Sequence, residues 1–106
     1  MTASAPLQSA LHCLYNVNVE FAWDASNIEH LGRHRITAQE AEEAILLDSL
    51  EFELQQHSDE ERVLCFGRTA KGRLLTVIYA MRGEEIRVVT GYPMTKSQQR
   101  IYFQGK

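Results

Sequence analysis

One histidine and two arginines are the side chains of this chain best suited to chemistry. His34 lies between Arg33 and Arg35, while Arg68 and Arg87 lie at or within predicted strands. An imidazole titrates near neutral pH and acts as a general acid or base. A guanidinium binds two oxygens of a phosphate and stabilises the charge that develops on it. A metal-independent ribonuclease needs these residue types, because the 2′-hydroxyl group of the RNA itself attacks the adjacent phosphate.

Each of these residues also has a purely structural interpretation. His34 lies between two predicted helices, where an imidazole can bond to the carbonyl groups of a helix end. Arg68 and Arg87 are equally suited to ion pairs with a glutamate-rich helix. Tyr79, inside a long predicted strand, either positions a base or packs in the core. The sequence leaves these alternatives open.

Charge is distributed unevenly along the chain. The formal net charge of −3 by itself disfavours a nucleic-acid-binding protein. Residues 37–61, however, contain nine acidic residues and no lysine or arginine, whereas residues 62–106 contain nine basic residues and two acidic ones. The basic part can bind RNA phosphates, or it can form ion pairs with the acidic part. The candidate RNA-binding residues are Arg33, Arg35, Lys71, Arg73, Lys96 and Arg100.

The sequence contains no convincing metal site or cofactor motif. The four histidines are scattered, and a glycine interrupts the one pair at helical spacing, His30 and His34. Cys13 and Cys65 match no zinc or redox spacing, so reduced thiols in a cytoplasmic protein are expected. Residues 1–18 lack the basic region and long apolar run of a secretion signal or membrane span. We therefore expect no metal, no cofactor and no membrane partner.

The first half of the chain predicts one strand and two helices. Apolar residues on every second position predict a half-buried strand over residues 15–23. Asp24 or Ser26 can cap a short helix that follows it. Thr37 and Glu40 have the spacing of a capping box, which predicts the start of a second helix.

The second half of the chain predicts an antiparallel meander. Its strands are predicted over residues 50–54, 63–66, 74–81 and 85–90. The polar segment 55–61 is predicted to be a turn, and the later connections are short enough for hairpins. A second capping-box pattern after Pro93 predicts a short C-terminal helix.

This order of elements predicts an α+β fold: an antiparallel meander with the two N-terminal helices packed on one face and a short C-terminal helix. We interpret residues 1–18 as an N-terminal extension and residues 19–106 as a single domain, because this length provides one ordinary core. The alternation of the strands predicts which side chains that core contains. They are Phe21, Trp23, Val63, Cys65, Leu75, Val77, Ile86 and Val88.

Several short signatures follow one another in a fixed order. They are Phe21-Ala22-Trp23-Asp24, Arg33-His34, the helix start from Thr37 to Glu43, Cys65-Phe66-Gly67-Arg68, and Ile86-Arg87-Val88-Val89-Thr90 followed by Thr95-Lys96. Together they resemble the BrnT family, the toxin half of a bacterial toxin–antitoxin pair with a RelE-like ribonuclease fold. The resemblance extends from about Val19 to Tyr102, and its specificity lies in the order and spacing of the signatures.

The resemblance implies a ribonuclease toxin that cleaves RNA by 2′-hydroxyl attack. His34 is then the acid or base, Arg68 and Arg87 bind the phosphate, and Tyr79 is a fourth catalytic candidate. Because one phosphate is small, His34, Arg68 and Arg87 are expected to converge on one accessible site.

The resemblance also implies two partners, RNA and a small antitoxin protein that covers the basic site and inhibits the toxin. The chain is expected in a hetero-oligomer with the antitoxin or in a homo-oligomer. Met81, Tyr92 and Met94 are candidates for exposed contacts with the antitoxin. Core packing is the alternative for Met81.

The chain departs from the family pattern after the last strand. BrnT-like toxins typically continue as Ser-Ala-Arg, a basic residue, and a helix with Thr, Lys and Glu. Tyr92 replaces that arginine, Pro93 the basic residue and Gln98 the glutamate. Arg35 likewise stands where the usual Lys-His-Gly has glycine. Loss of a cation from a site that stabilises a charged transition state slows a reaction. The alternative is therefore a catalytically inactive BrnT-like binding module.

Overall fold

Residues 19–105, which the computed structural model describes, form a five-stranded sheet and three helices. The strands are β1 (Glu20–Phe21), β2 (Leu50–His57), β3 (Glu60–Arg68), β4 (Leu74–Arg82) and β5 (Glu85–Pro93). The helices are α1 (Ala25–Gly32), α2 (Ala38–Leu46) and α3 (Lys96–Gly105). The predicted α+β class is confirmed.

The sheet has the strand order β1-β5-β4-β3-β2. Strands β2 to β5 form the predicted antiparallel meander, in which each strand pairs with the next. The sheet is nevertheless mixed, because β1 pairs in parallel with β5. The strand predicted over residues 15–23 comprises only Glu20 and Phe21 in the described part of the chain, and residues 15–18 lie outside that part.

The prediction of a turn over residues 55–61 is wrong. β2 continues to His57 and β3 begins at Glu60, so that only Ser58 and Asp59 connect the two strands. Ser58 has a positive φ of 57°, as tight two-residue hairpins require. The apolar alternation is absent here because the end of β2 is mostly exposed at the edge of the sheet, where backbone pairing rather than burial holds it.

The two N-terminal helices begin at predicted capping residues. Oδ1 of Asp24 accepts a hydrogen bond from the amide of Asn27 at 2.9 Å at the start of α1. Thr37 and Glu40 form the predicted capping box of α2. These bonds satisfy amides that the first helical turn leaves without intrahelical partners.

A first hydrophobic core lies between the sheet and the segment that contains α1 and α2. It consists of apolar residues of that segment and of alternate residues from β3, β4 and β5, which point to one face. Its buried members are Leu31, Ile36, Ala41, Ala44, Cys65, Leu75, Val77, Tyr79, Ile86 and Val88. Phe21, Trp23 and Val63 are partly buried against this cluster. The predicted core is therefore confirmed.

A second core lies on the opposite face of the sheet, where α3 packs. Its buried members are Leu64, Phe66, Met94 and Tyr102. The hydroxyl of Tyr102 donates a hydrogen bond to the backbone carbonyl of Asp48 at 2.7 Å. This bond ties α3 to the connection between α2 and β2.

Helix α2 packs directly against the backbone of β3 at Gly67. A Cβ atom at this position would overlap the backbone carbonyl of Ala44, which is fully buried in α2. A glycine is needed here because helix and strand approach each other too closely for a side chain.

We expect Gly67→Ala to lower the free energy of unfolding by about 1–3 kcal/mol, because α2 must move to relieve the overlap. Gly32→Ala is the matched control. Among the described residues, no atom beyond the adjacent residues and the helix's own backbone lies within 4 Å of the Cβ position there, and alanine favours the helix by about 0.5–1 kcal/mol. Urea denaturation measures both variants, and equal stabilities would contradict the direct packing of α2 on β3.

Candidate functional site

His34 lies in a tight turn that follows α1. The amides of His34 and Ile36 both donate hydrogen bonds to the carbonyl of Leu31, at 2.9 and 3.0 Å. The amide of Arg35 donates to the carbonyl of Gly32 at 3.0 Å. Arg35 has a φ of 59°, in the left-handed region that favours glycine. The turn leaves the side chain of His34 exposed to solvent.

The imidazole of His34 contacts the ring of Tyr92. The two ring centroids are 6.3 Å apart, with an interplanar angle of 58°. Tyr92 is held in the sheet opposite Thr76, because β5 continues to Pro93 rather than ending at Thr90 as predicted. The structure thus brings the predicted acid–base residue to a position where the chain departs from the BrnT-like pattern.

Tyr92 is at the end of a hydrogen-bonded chain that starts inside the sheet. The buried hydroxyl of Thr76 and the amide of Thr95 both donate to Oε1 of Gln98, at 2.9 and 3.0 Å. A backbone amide can only donate, so this contact fixes which end of the Gln98 side chain is oxygen. Nε2 of Gln98 therefore donates to the hydroxyl of Tyr92, at 3.1 Å. The hydroxyl accepts this bond and can still donate its own proton.

A cavity of about 620 Å³ adjoins the His34 turn. Three predicted RNA-binding cations, Arg35, Lys71 and Arg73, line it. The guanidinium of Arg73 donates to the carbonyl of Arg35 at 2.7 Å and to the carbonyl of His34 at 3.3 Å. Arg73 therefore fixes the turn to the beginning of β4. We call His34, Tyr92 and this cavity the His34 region.

Acidic residues of α2 share the cavity. Glu40 forms an ion pair with Arg73 at 3.0 Å, and Glu43 accepts a hydrogen bond from a backbone amide of the hairpin between β3 and β4. The acidic and basic parts of the chain thus meet, as one of the two interpretations of the sequence required. Within residues 19–105, Arg35 and Lys71 take part in no ion pair, so the cavity retains positive charge.

The other predicted RNA-binding cations lie outside this cavity. Arg33 is exposed and lies 3.9 Å from the carboxylate of Glu29. Lys96 and Arg100 are exposed on α3, which packs on the opposite face of the sheet. Lys96 begins that helix, close in sequence to Gln98.

Arg68 and Arg87 lie too far apart in the sheet for both to be part of the His34 region. Arg68 ends β3 opposite Leu74, whereas Arg87 lies near the start of β5 opposite Ala80. Positions 74 and 80 are six residues apart along β4, which corresponds to about 20 Å. The expected convergence of the histidine and both arginines on one phosphate therefore does not occur. Arg68 forms an ion pair with Asp48, at 2.9 Å.

Arg87 belongs to a separate cluster. Its Nη2 atom donates to Oε2 of Glu60 at 2.7 Å, and Nε of Arg62 donates to Oε1 of the same carboxylate at 3.1 Å. The Arg87 guanidinium, and to a lesser extent that of Arg62, holds the pKa of Glu60 below its ordinary value. Within the described residues, Nε of Arg87 is buried without a hydrogen-bond partner. We call Arg62, Arg87 and the carboxylate between them the arginine clamp.

Tyr79 and Cys65 lie in the first core. Tyr79 is 6% exposed, and its hydroxyl donates to the carboxylate of Glu51 at 2.8 Å. Burial, followed by the nearby carboxylate, raises the pKa of Tyr79 well above its ordinary value. Burial also raises the pKa of the Cys65 thiol to about 12. Tyr79 therefore packs in the first core, as one of the two interpretations of the sequence predicts.

The three residues predicted to contact an antitoxin differ in exposure. Met81 is 53% exposed, and Tyr92 is half-buried. Met94 is only 6% exposed, because it packs in the second core with Tyr102. The prediction of an exposed Met94 is therefore wrong.

The sequence interpretation missed Glu60 and Arg62. It placed the start of β3 at Val63, so Glu60 was assigned to the turn over residues 55–61 and Arg62 was assigned to no strand. Their side chains alternate with that of Val63, which faces the first core, and a strand begun at Glu60 would have predicted one shared face for them.

His30 and His34 do not share a helix face, because α1 ends at Gly32 and His34 lies in the turn beyond it. Among residues 19–105, no three His, Cys, Asp or Glu side chains are grouped so that they could hold a metal ion. No helix in this part of the chain has the length and apolar character needed to cross a membrane.

A known protein family matches the region that contains these residues. The model of a family described as the ribonuclease toxin, BrnT, of type II toxin–antitoxin systems matches residues 23–98. The matched range includes His34, Tyr92 and both arginines of the clamp, and it ends at Gln98. No curated protein matches the chain.

Arg35→Gly should raise the free energy of unfolding by about 1 kcal/mol, because the left-handed conformation costs a residue with a side chain about 1–2 kcal/mol. Arg33→Gly is the matched control, since Arg33 has a φ of −62° and gains nothing from glycine. We expect that control to lose about 0.5–1 kcal/mol. If urea denaturation shows similar losses for both variants, the turn at Arg35 is not strained.

Glu60→Gln should flatten the loss of stability in acid. The pKa of Glu60 is lowered from its ordinary value of 4.5 in the folded protein. Its contribution to stability is therefore complete above the unfolded pKa and is lost as the pH falls through the lower folded pKa. The wild type should exceed Glu60→Gln in stability near neutral pH, and the difference should shrink in acid. Denaturation at several pH values measures this, with Glu61→Gln as control; a constant difference would refute it.

Proposed function

The chain belongs to the BrnT family of ribonuclease toxins of type II toxin–antitoxin systems, and we propose that it cleaves RNA by metal-independent attack of the 2′-hydroxyl group. The reaction takes place at the His34 region, in the cytoplasm. A small antitoxin inhibits it by covering that region. The RelE-like fold implied by the family is part of this proposal, and the meander of β2 to β5 behind two helices supports it.

One observation carries the proposal: an exposed imidazole lies against Tyr92 and beside a cavity lined by three cations. Acid–base catalysis needs a side chain that can take up and release a proton and that the substrate can reach. Cleavage of a phosphodiester also needs positive charge near the scissile phosphate. The residues of the His34 region meet both needs within one stretch of surface.

The proposed reaction is a displacement at phosphorus. A base removes the proton of the ribose 2′-hydroxyl, the 2′ oxygen bonds to phosphorus, and the bond from phosphorus to the 5′ oxygen breaks. An acid gives the departing 5′ oxygen its proton, which leaves a cyclic phosphate on one fragment. His34 is the acid or the base. Arg35 and Lys71 bind the phosphates, and their charge stabilises the transition state.

Arg73 is a positioning residue in this proposal. Its guanidinium bonds to the carbonyl groups of His34 and Arg35, so it holds the turn that carries the imidazole. Its ion pair with Glu40 offsets part of its own charge. The direct phosphate contacts therefore come from the other two cations of the cavity.

A catalytically inactive binding module is the second candidate, and one observation favours it. Position 92, which contacts His34, carries a tyrosine where the family pattern has a cation. In the proposed enzyme the hydroxyl of Tyr92 replaces that cation as a donor to the phosphate. In the inactive relative it is only a surface for the antitoxin, together with the exposed Met81.

His34→Ala should reduce RNA cleavage by at least about 100-fold, because it removes the acid or base, and should abolish toxicity on expression without an antitoxin. The fold should survive, since the side chain is exposed. Cleavage of a fluorescent RNA and growth after induction are the measurements. His57→Ala, at an exposed histidine near the edge of the sheet, is the matched control and should keep full activity.

Tyr92→Arg separates the two candidates, because it restores the cation of the family pattern. The ribonuclease proposal requires measurable cleavage by the unmutated protein and higher cleavage by this variant. If the unmutated protein is inert towards RNA and harmless without a partner, the ribonuclease proposal fails and the binding module remains.

A further inference from the structure

The arginine clamp has an arrangement that suits an oxyanion other than the one it holds. Arg62 and Arg87 lie on either side of Ala80 in the sheet, each directly opposite it in register. Their side chains point away from the first core, to which the neighbours of Arg87 belong. The residue between them, Ala80, has only a methyl side chain, and the carboxylate of Glu60 bonds to both guanidinium groups.

The clamp retains positive charge and donor capacity. Two guanidinium groups bind one carboxylate, so the cluster has a net charge of +1 by this count. In the part of the chain that the structure describes, Nε of Arg87 is a further, buried donor without a partner. A cavity of about 240 Å³ adjoins the clamp and is also lined by His30 and Asn27. Asp24 lines the same cavity; Oδ1 of its carboxylate caps α1, and its negative charge makes that end of the cavity less favourable for an anion than the clamp itself.

A phosphate is the ligand that this chemistry favours over a carboxylate. Guanidinium groups bind both anions in pairs of parallel hydrogen bonds, and a phosphodiester linked to sugars can also extend into the adjoining cavity. Tyr92 points to the same face of the sheet as Arg87, since Gly91 between them faces Leu31 of the first core. The two residues are five positions apart, or about 15 Å along β5.

We propose that the arginine clamp is a second phosphate-binding subsite for single-stranded RNA, and that Glu60 occupies it until a phosphodiester takes the place of its carboxylate. The proposal rests on the proposed function, which supplies RNA as the ligand. The clamp binds a nucleotide at some distance from the scissile one, because about 15 Å separates it from Tyr92 along the strand. Glu60 is free to leave because it begins β3 beside the exposed two-residue hairpin.

The test uses a fluorescent single-stranded RNA with methylated 2′-hydroxyl groups, which cannot be cleaved by this route. Binding is measured by fluorescence anisotropy over a series of salt concentrations. We expect Glu60→Gln to tighten binding several-fold, because it releases the guanidinium groups. Arg62→Gln should weaken binding several-fold and reduce the salt slope by about 0.7, the value of one phosphate contact on a single strand. The double variant should tighten less relative to Arg62→Gln alone than Glu60→Gln does relative to the wild type, because only the guanidinium of Arg87 is then released.

Glu61→Gln is the matched control, because it removes the same charge from the neighbouring residue on the other face of β3. Equal tightening by Glu60→Gln and Glu61→Gln would attribute the effect to net charge and overturn the proposal. Tightening of undiminished size in the double variant would overturn it too. Thermal unfolding shows which variants fold. If Arg62→Gln does not fold, the proposal is tested by RNA binding to Glu60→Gln and Glu61→Gln alone, and it holds only if Glu60→Gln binds more tightly.

Cleavage of unmodified RNA is scored separately, so the two proposals fail in different ways. If RNA cleavage depends on His34 but Glu60→Gln has no effect on binding, only the proposal of a phosphate subsite at the clamp is refuted. Conversely, a protein that shows the clamp effects and does not cleave RNA refutes the ribonuclease proposal and supports the clamp.

Discussion

The arrangement of the His34 region depends on one guanidinium group. Arg73 bonds to the carbonyl groups of Arg35 and His34 and to the carboxylate of Glu40, at 2.7, 3.3 and 3.0 Å. The two carbonyl groups lie just beyond the C-terminus of α1, where helix ends leave acceptors unsatisfied and attract cations. The carboxylate belongs to the capping box of α2. A single side chain thus joins both helices to β4 and, with the backbone hydrogen bonds of the turn, holds the segment that carries the imidazole.

The sequence predicted those parts of the fold that are decided locally. The capping box of Thr37 and Glu40 involves residues three apart, so its geometry follows from the sequence alone. The core strands were also identifiable, because burial on one face imposes alternation. The second half of β2 was missed because it is an exposed edge strand. Its partner, β3, determines its conformation, and the apolar pattern contains no record of that pairing.

The candidate site was less predictable because it depends on strand register and on the choice of charged partners. The separation of acidic and basic segments indicated that ion pairs would form, but it did not identify which carboxylate each arginine would bind. Arg68 pairs with Asp48, and Arg87 with Glu60, at opposite ends of the sheet. That separation follows from the antiparallel register of β3, β4 and β5, which short signatures in a sequence do not specify.

The structure shows that two departures from the family pattern, at positions 92 and 98, concern one pair of contacting side chains. Tyr92 and Gln98 contact each other, so an arginine and a glutamate at these positions would face each other as an ion pair. The tyrosine and glutamine keep a hydrogen bond and leave the net charge of the pair unchanged. On the proposed mechanism, Tyr92 then offers the phosphate a neutral donor, worth about 0.5–1.5 kcal/mol, where a charged donor is worth about 1.5–3 kcal/mol. The difference of about 1–2 kcal/mol corresponds to roughly one order of magnitude in rate, which is a weakened enzyme rather than an inactive one.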